Sequence, residues 1–326
     1  LAAFFMMKKI ALIYMGGTFG CVGEPLAPMP AEKFIPLLQH VLPLQLDIEC
    51  FVSPVIKDSS ACTAEDWLRL TQFIQELQQK QYQNFVIIHG TDTLSYASAV
   101  LANCLGHSAH VVLTGSQYPL LNVKGNDTRE FTDAIDNLNF ALDSVVKCAQ
   151  GVYLAFHHRL IHAQTALKRH TTELDAFTGI EENTPIYANT DVIQVNDALI
   201  AKAQNFNCVS LMWQPISVDQ QIENLALFLK NPPNALILQG FGTGNIAVNE
   251  KLIQVLQNIQ AKKCAVIITS QVPFGLLDQR YAISEWISHA KFLVSNSLSH
   301  ADLYAKTLKM YLKYDAVDQW HDHWKN

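Results

Sequence analysis

Short apolar runs rich in β-branched residues alternate along this chain with longer amphipathic stretches, and the rhythm predicts strands and helices in turn. The runs at 10–15, 85–89, 111–114 and 152–156 occupy the first half, and those at 209–213, 235–239 and 265–269 the second. Continuous apolarity over so few residues suits strands buried on both faces, as in a parallel sheet whose crossovers are helices. One such helix is predicted over 64–80. Trp67, Leu70, Phe73, Ile74 and Leu77 share one face there, and Thr63 stands as its N-cap.

This pattern predicts an α/β protein with two domains. The larger N-terminal one carries a mostly parallel, doubly wound sheet, and the smaller C-terminal one a Rossmann-like parallel sheet. A chain of 326 residues accommodates two cores more readily than one. The rhythm is interrupted by a polar, Asn- and Asp-rich segment at 185–207, so the expected boundaries are 1–190 for a catalytic α/β domain, 191–207 for a linker and 208–326 for the smaller domain. The tail at 314–326, with Trp320 and Trp324 among His and Asp, predicts a terminal helix.

Composition removes several functions. The formal net charge is -6 and no basic run interleaves with aromatics, so nothing is arranged to neutralise phosphates and no nucleic-acid partner is expected. No segment reaches the roughly 20 apolar residues of a membrane span, so no membrane partner is expected either. Lys8 and Lys9 follow the first apolar residues instead of preceding them, which reads as an extension ahead of Met6 or Met7 and not as a signal peptide. The seven cysteines are scattered and never spaced as C-x-x-C, as in a reduced, cytoplasmic protein. His157, His158 and His162 lack Cys or Glu partners at ligand spacing, so no metal site is expected.

The candidate chemistry sits where strands stop. Three small polar turns follow three predicted strands: Gly16-Gly17-Thr18-Phe19-Gly20, His89-Gly90-Thr91-Asp92-Thr93 and Thr114-Gly115-Ser116-Gln117. In an open parallel sheet all strand C-termini lie along one edge, so turns far apart in sequence converge. Gly16 and Gly17 leave Thr18 on a tight turn, where its hydroxyl is placed to attack an electrophile. That hydroxyl needs help, and Asp92 beside Thr91 offers it, together with a lysine that spacing alone does not choose. A fourth turn, Gly240-Phe241-Gly242-Thr243-Gly244, lacks the last glycine and acidic partner of a dinucleotide fingerprint and reads as structural.

Together the three turns resemble the L-asparaginase family, most closely its cytoplasmic, type I branch. The family carries G-G-T-[IF]-[AG], H-G-T-D-T and, in this branch, T-G-S-Q-x-P-L, matched here by residues 16–20, 89–93 and 114–120. The likeness implies Thr18 as the first nucleophilic threonine, Thr91 and Asp92 as the second threonine and its carboxylate, and Lys168 as the lysine ahead of a D-A-F segment, here Asp175-Ala176-Phe177. Asp58, Ser59 and Ser60 correspond to the turn that binds the substrate's α-carboxylate and α-amino ends. Gly17, Gly90 and Gln117 complete the implied substrate-binding set, with backbone N–H groups at Gly17 and at Gly90 or Thr91 as the oxyanion site.

The implied reaction is hydrolysis of L-asparagine, with L-glutamine as a second candidate substrate, to the acid and ammonia through a covalent acyl intermediate. No metal or organic cofactor is implied. A homodimer or homotetramer is implied, because family sites are completed near a subunit interface. Two departures stand out. Leu26 occupies the slot of a loop tyrosine that assists the first threonine, and Ala301 the slot of a late-helix glutamate, with His300 and Asp302 as neighbours able to substitute. Tyr14, on the strand before the turn, is expected to point elsewhere. These departures keep open an alternative, a slow or inactive protein of asparaginase fold that binds a small amino acid. A third reading, the amide-hydrolysing component of a tRNA-dependent amidotransferase, shares the H-G-T-D-T turn but generally carries a further N-terminal region. The regulatory T-Q-C segment of the branch reads Ser270-Gln271-Val272 here, so cooperativity is not expected.

Overall fold

Strand β1, Ile10–Tyr14, is buried at all of its positions and lies between two neighbouring strands. The computed structural model describes residues 8–187, 191–275, 277 and 285–324, and the chain divides into two units, 1–201 and 202–326. After β1 come a small antiparallel hairpin, β2 (Cys21–Val22) with β3 (Ala27–Pro28), helix α1 (Ala31–His40) and strand β4 (Ile48–Val52). Then follow α2 (Ala64–Gln79), β5 (Asn84–Ile88), α3 (Leu94–Leu105), β6 (His110–Thr114), α4 (Ala134–Val145), β7 (Gly151–Phe156) and β8 (Arg159–His162). The sheet runs β4-β1-β5-β6-β7-β8, parallel as far as β7, with β8 returning antiparallel.

The chain leaves β1 for β4 on one side and returns past it to β5 on the other. The switch in winding direction therefore falls at the carboxyl end of β1, where open α/β sheets form their crevice. One face of the sheet offers Ile10, Leu12, Val86, Ile88 and Val112 to Phe34 and Leu38 of α1 and to Leu138, Leu142 and Val145 of α4. Each such aliphatic side chain, removed from water, contributes about 1.5–3 kcal/mol before chain entropy is charged against it. Helix α2 begins with a reciprocal cap, in which Asp66 Oδ2 accepts from the Thr63 N–H at 2.8 Å and also pairs with Lys57 Nζ at 2.7 Å. His157 and His158 form the two-residue turn between β7 and β8. Their φ values of 48° and 57° match a hairpin turn whose twist suits the flanking strands.

Beyond β8 the chain forms a short antiparallel pair, β9 (Leu167–Lys168) with β10 (Phe177–Thr178). The stretch 191–207 contains helix α5, Asp197–Ala203. In the second unit, β11 (Cys208–Met212), β12 (Ala235–Gly240), β13 (Ala265–Ser270) and β14 (Leu293–Val294) form a parallel sheet in that order. Alternation divides its faces. Leu236 and Leu238 share a cluster with Leu225 of α6 (Val218–Lys230) and with Leu252 and Leu256 of α7 (Glu250–Gln260). Ala235 and Ile237 share another with Leu303 and Met310 of α9 (His300–Lys313), which follows α8 (Glu285–His289), and with Trp320 of α10 (Val317–His323) and Trp324. The tail helix thus docks by its tryptophans. The 240–244 turn closes on itself through Phe241 N to Asn245 O and Asn245 N to Phe241 O, at 2.9 and 2.8 Å.

The predicted two-sheet α/β fold is the observed one. Strand β4 was absent from the expected set because Ile-Glu-Cys-Phe-Val, half-exposed along its length, has the mixed composition of an edge strand. Strand β14 spans two residues, too few to show a period.

Candidate active site

Register brings the turns together. Tyr14 pairs with Val52 on one side and Ile88 on the other, and Ile88 pairs with Thr114, so four adjacent strands of the first unit end in line. The residues that follow each of them crowd along one edge. Gly17 and Gly90 approach closely: a Cβ on Gly17 would lie 2.4 Å from Gly90 Cα, and one on Gly90 would lie 2.5 Å from Ser59 Oγ. Gly17 also holds φ +88°, a region that side chains rarely tolerate. Backbone therefore touches backbone at the point from which Thr18 and Thr91 both depart.

Thr18, half-buried, opens a short 3-10 turn that runs to Gly20. Thr91 is 7% exposed. Its Oγ1 accepts a hydrogen bond from Lys168 Nζ at 3.0 Å, and the same ammonium lies 3.4 Å from Asp92 Oδ1. Lysine, threonine and aspartate thus form one contact group across 77 residues of sequence. Asp92 remains open to solvent while Lys168 is mostly covered.

Lys168 reaches this position from β9, where it pairs with Phe177 of β10. The pair is braced from behind. Arg159 bonds Asp175 at 3.4 Å, Glu181 at 3.0 Å and the Phe177 carbonyl at 3.1 Å, while Arg169 also engages Asp175. Gln117, expected among the substrate-binding residues, donates its side-chain amide to the carbonyls of Thr171 (3.3 Å) and Glu173 (2.9 Å) in the loop between β9 and β10. Its own turn is held by Asp133, which accepts from the Gln117 and Tyr118 N–H groups at 2.9 and 3.0 Å.

Asp58 caps the 3-10 turn Ser59–Ala61 by accepting from the Ser60 N–H at 3.0 Å, with Ser59 buried and Asp58 and Ser60 exposed. Thr93 Oγ1 donates to the Ser59 carbonyl at 2.7 Å, tying this turn to H-G-T-D-T. Sequence reasoning gave Thr93 no part of its own, and it placed Trp67 in the core alone. Trp67 Nε1 in fact donates to His89 Nε2 at 3.2 Å, and His89 Nδ1 lies 2.8 Å from the Gly90 carbonyl oxygen. Burial pushes the His89 imidazole down to about 4.

The departures also have places. Leu26 lies in the turn of the β2–β3 hairpin and is 51% exposed. Tyr14 packs its ring against Phe34 at 4.7 Å between centroids, and burial raises its phenol well above the usual range. In the second unit, Ser299 caps α9 by accepting from Asp302 N at 3.0 Å, and Asp302 Oδ2 accepts from Leu298 N at 3.0 Å. The Asp302 carboxylate is 4% exposed and caps its own helix.

Among known proteins, the family model for the N-terminal part of asparaginase matches residues 9–201. L-asparaginase 1 of Escherichia coli K12 is 26% identical over 297 residues, covering 87% of this chain and 86% of that protein. The L-asparaginase of Thermococcus kodakarensis is 27% identical over 236 residues, covering 69% of this chain and 68% of that one. The likeness extends to proteins of other names, such as the 60 kDa lysophospholipase of Mus musculus, 27% identical over 302 residues that cover 80% of this chain and 51% of that protein. The solved thermostable L-asparaginase of Thermococcus kodakarensis superposes with a TM-score of 0.78 over 96% of both chains at 22% identity, a likeness of fold. The family match covers more than half of the chain, including all four converging turns and Lys168. The chain belongs to the asparaginase family of amidohydrolases.

Proposed function

We propose that the protein hydrolyses the side-chain amide of L-asparagine to L-aspartate and ammonia, with L-glutamine as a second candidate substrate. The observation that carries this reading is the Lys168 ammonium, 3.0 Å from Thr91 Oγ1 and 3.4 Å from Asp92 Oδ1, beside the Gly17–Gly90 contact that brings Thr18 alongside. Thr18 Oγ1 attacks the amide carbon, and backbone N–H groups at Gly17 and Thr91 stabilise the oxyanion. The hydroxyl proton passes through the Thr91, Lys168 and Asp92 group to the departing nitrogen, so the C–N bond breaks as ammonia leaves. Water then attacks the threonyl ester, and its proton returns to Thr18. The Asp58, Ser59 and Ser60 turn receives the α-carboxylate and α-amino ends. These steps draw on the chain's own groups and call for no cofactor.

The reading includes a homodimer or homotetramer located in the cytoplasm. Ammonia release from asparagine tests the activity, and Thr18→Ala, Thr91→Ala and Lys168→Met test the assignments. No release from asparagine, glutamine or related amides at micromolar enzyme would refute it. Leu26, exposed on the hairpin in the slot that the family resemblance gives to a tyrosine, favours a second reading: a slow or inactive protein that retains amino-acid binding. That reading requires thermal stabilisation by aspartate without turnover, and rapid hydrolysis excludes it.

A further inference from the structure

His89 takes no direct part in the proposed chemistry, yet its state is determined from both sides. The indole Nε1 of Trp67 only donates, so His89 Nε2, at 3.2 Å, is an unprotonated acceptor. The Gly90 carbonyl oxygen only accepts, so Nδ1, at 2.8 Å, carries the proton. A neutral ring in one tautomer satisfies both partners at once, and burial keeps the ring neutral until the pH falls to about 4.

The consequence runs through the next peptide. The Gly90–Thr91 bond is trans and planar, so the Thr91 N–H points opposite to the Gly90 carbonyl. With that carbonyl held toward His89, the N–H is directed away from the ring. Glycine has no Cβ to restrict rotation of the adjoining peptide, so the imidazole bond acts directly on the orientation of this plane. We propose that the Trp67–His89 pair is a positioning device that aims the Thr91 N–H as an oxyanion donor. The inference rests on the proposed amide hydrolysis. It also gives His89 a purpose distinct from acid–base catalysis, since both ring nitrogens are already engaged within the fold.

Side-chain 15N spectra and steady-state asparagine hydrolysis, measured on the full chain, test it. Wild-type His89 should show the neutral Nδ1-protonated tautomer. Removing a whole oxyanion donor costs roughly 100- to 1000-fold in kcat, so His89→Ala should approach that loss and Trp67→Phe should lose at least about tenfold, with KM within about threefold in both. His89→Asn presents an amide N–H near the Nδ1 position but no acceptor for Trp67, so its loss should match that of Trp67→Phe and stay well short of that of His89→Ala, a partial rescue that a purely scaffolding role does not predict. Equal losses in His89→Asn and His89→Ala, an unchanged kcat in Trp67→Phe, or an Nε2-protonated or cationic His89 in the wild type would overturn the inference and leave the hydrolase standing. A wild type that hydrolyses no amide would instead defeat the proposed function, and the inference with it.

Discussion

Acidification should weaken the first unit by an amount set chiefly by one buried imidazole. In the unfolded chain a histidine binds its proton near pH 6.5, whereas His89 in the fold resists protonation until about pH 4. Between those values the unfolded state holds one more proton than the native state. Stability is therefore complete above pH 6.5 and is lost as the pH falls toward 4. The difference in pKa is worth about 3 kcal/mol, of which about 2.5 kcal/mol is expressed between about pH 7 and about pH 4.5. That is a substantial share of the roughly 5–15 kcal/mol of a typical domain.

The assay is urea unfolding across this range, followed on the indole N–H resonance of Trp67, which reports the first unit directly because the other four tryptophans lie in 202–326. Burial also lowers the pKa values of His300 and His321. Both are present in the wild type and in His89→Asn alike, so their contributions cancel when the two pH profiles are compared. His89→Asn removes the titrating group, and its stability should change by about 2.5 kcal/mol less than the wild type's over the same range. Parallel pH profiles for the two proteins, or a His89 resonance titrating near 6.5 in the folded state, would refute the reasoning.

Further outcomes follow from the same geometry. Lys168→Met should lower kcat by about 100- to 10 000-fold, as for loss of a proton-handling group, while shifting urea stability by less than about 1 kcal/mol, since its ion pair with Asp92 is half open to solvent; steady-state kinetics and denaturation on one preparation check both. Gly17→Ala forces a Cβ to 2.4 Å from Gly90 Cα at a φ of +88°, so it should cost more than about 3 kcal/mol by thermal unfolding. Thr93→Val removes the hydroxyl bonded to the Ser59 carbonyl, which should cost about 1–2 kcal/mol and raise KM for asparagine more than it lowers kcat; an unchanged KM would detach the Ser59 turn from substrate binding. Leu26→Tyr restores a phenol to the hairpin turn and should raise kcat on asparagine several-fold in stopped-time ammonia assays, an outcome that no change in kcat would contradict.

The central strands were readable because burial on both faces leaves a continuous apolar run, as in Ile10–Tyr14 and in residues 85–88 of β5. Strand β4 was not, since Glu49 on the sheet's edge serves solvent-side partners, pairing with Lys9 at 2.7 Å. The threonine turns were visible as motifs, whereas Lys168 was reached only through family likeness. It sits on a two-residue strand and meets Thr91 only when distant segments assemble. Thr93 and Trp67 were in plain view, but hydrogen bonds to Ser59 and His89 arise from strand register and helix placement, which no local pattern encodes. Gln117 illustrates the opposite case: a motif position whose side chain, in the fold, braces a neighbouring loop.

The Gly17–Gly90 contact has a consequence for how such a protein changes over generations and in the laboratory. Because the two threonine-bearing turns meet through main chain, the spacing between them does not depend on the identity of surrounding side chains. Replacement of helpers, such as the leucine at position 26, leaves that spacing untouched. Activity can then drift, fade or be rebuilt by surface substitutions around an unchanged nucleus. A mutagenic library for new amide substrates should accordingly hold residues 16–18, 58–60 and 89–93 constant and randomise the hairpin at 21–28.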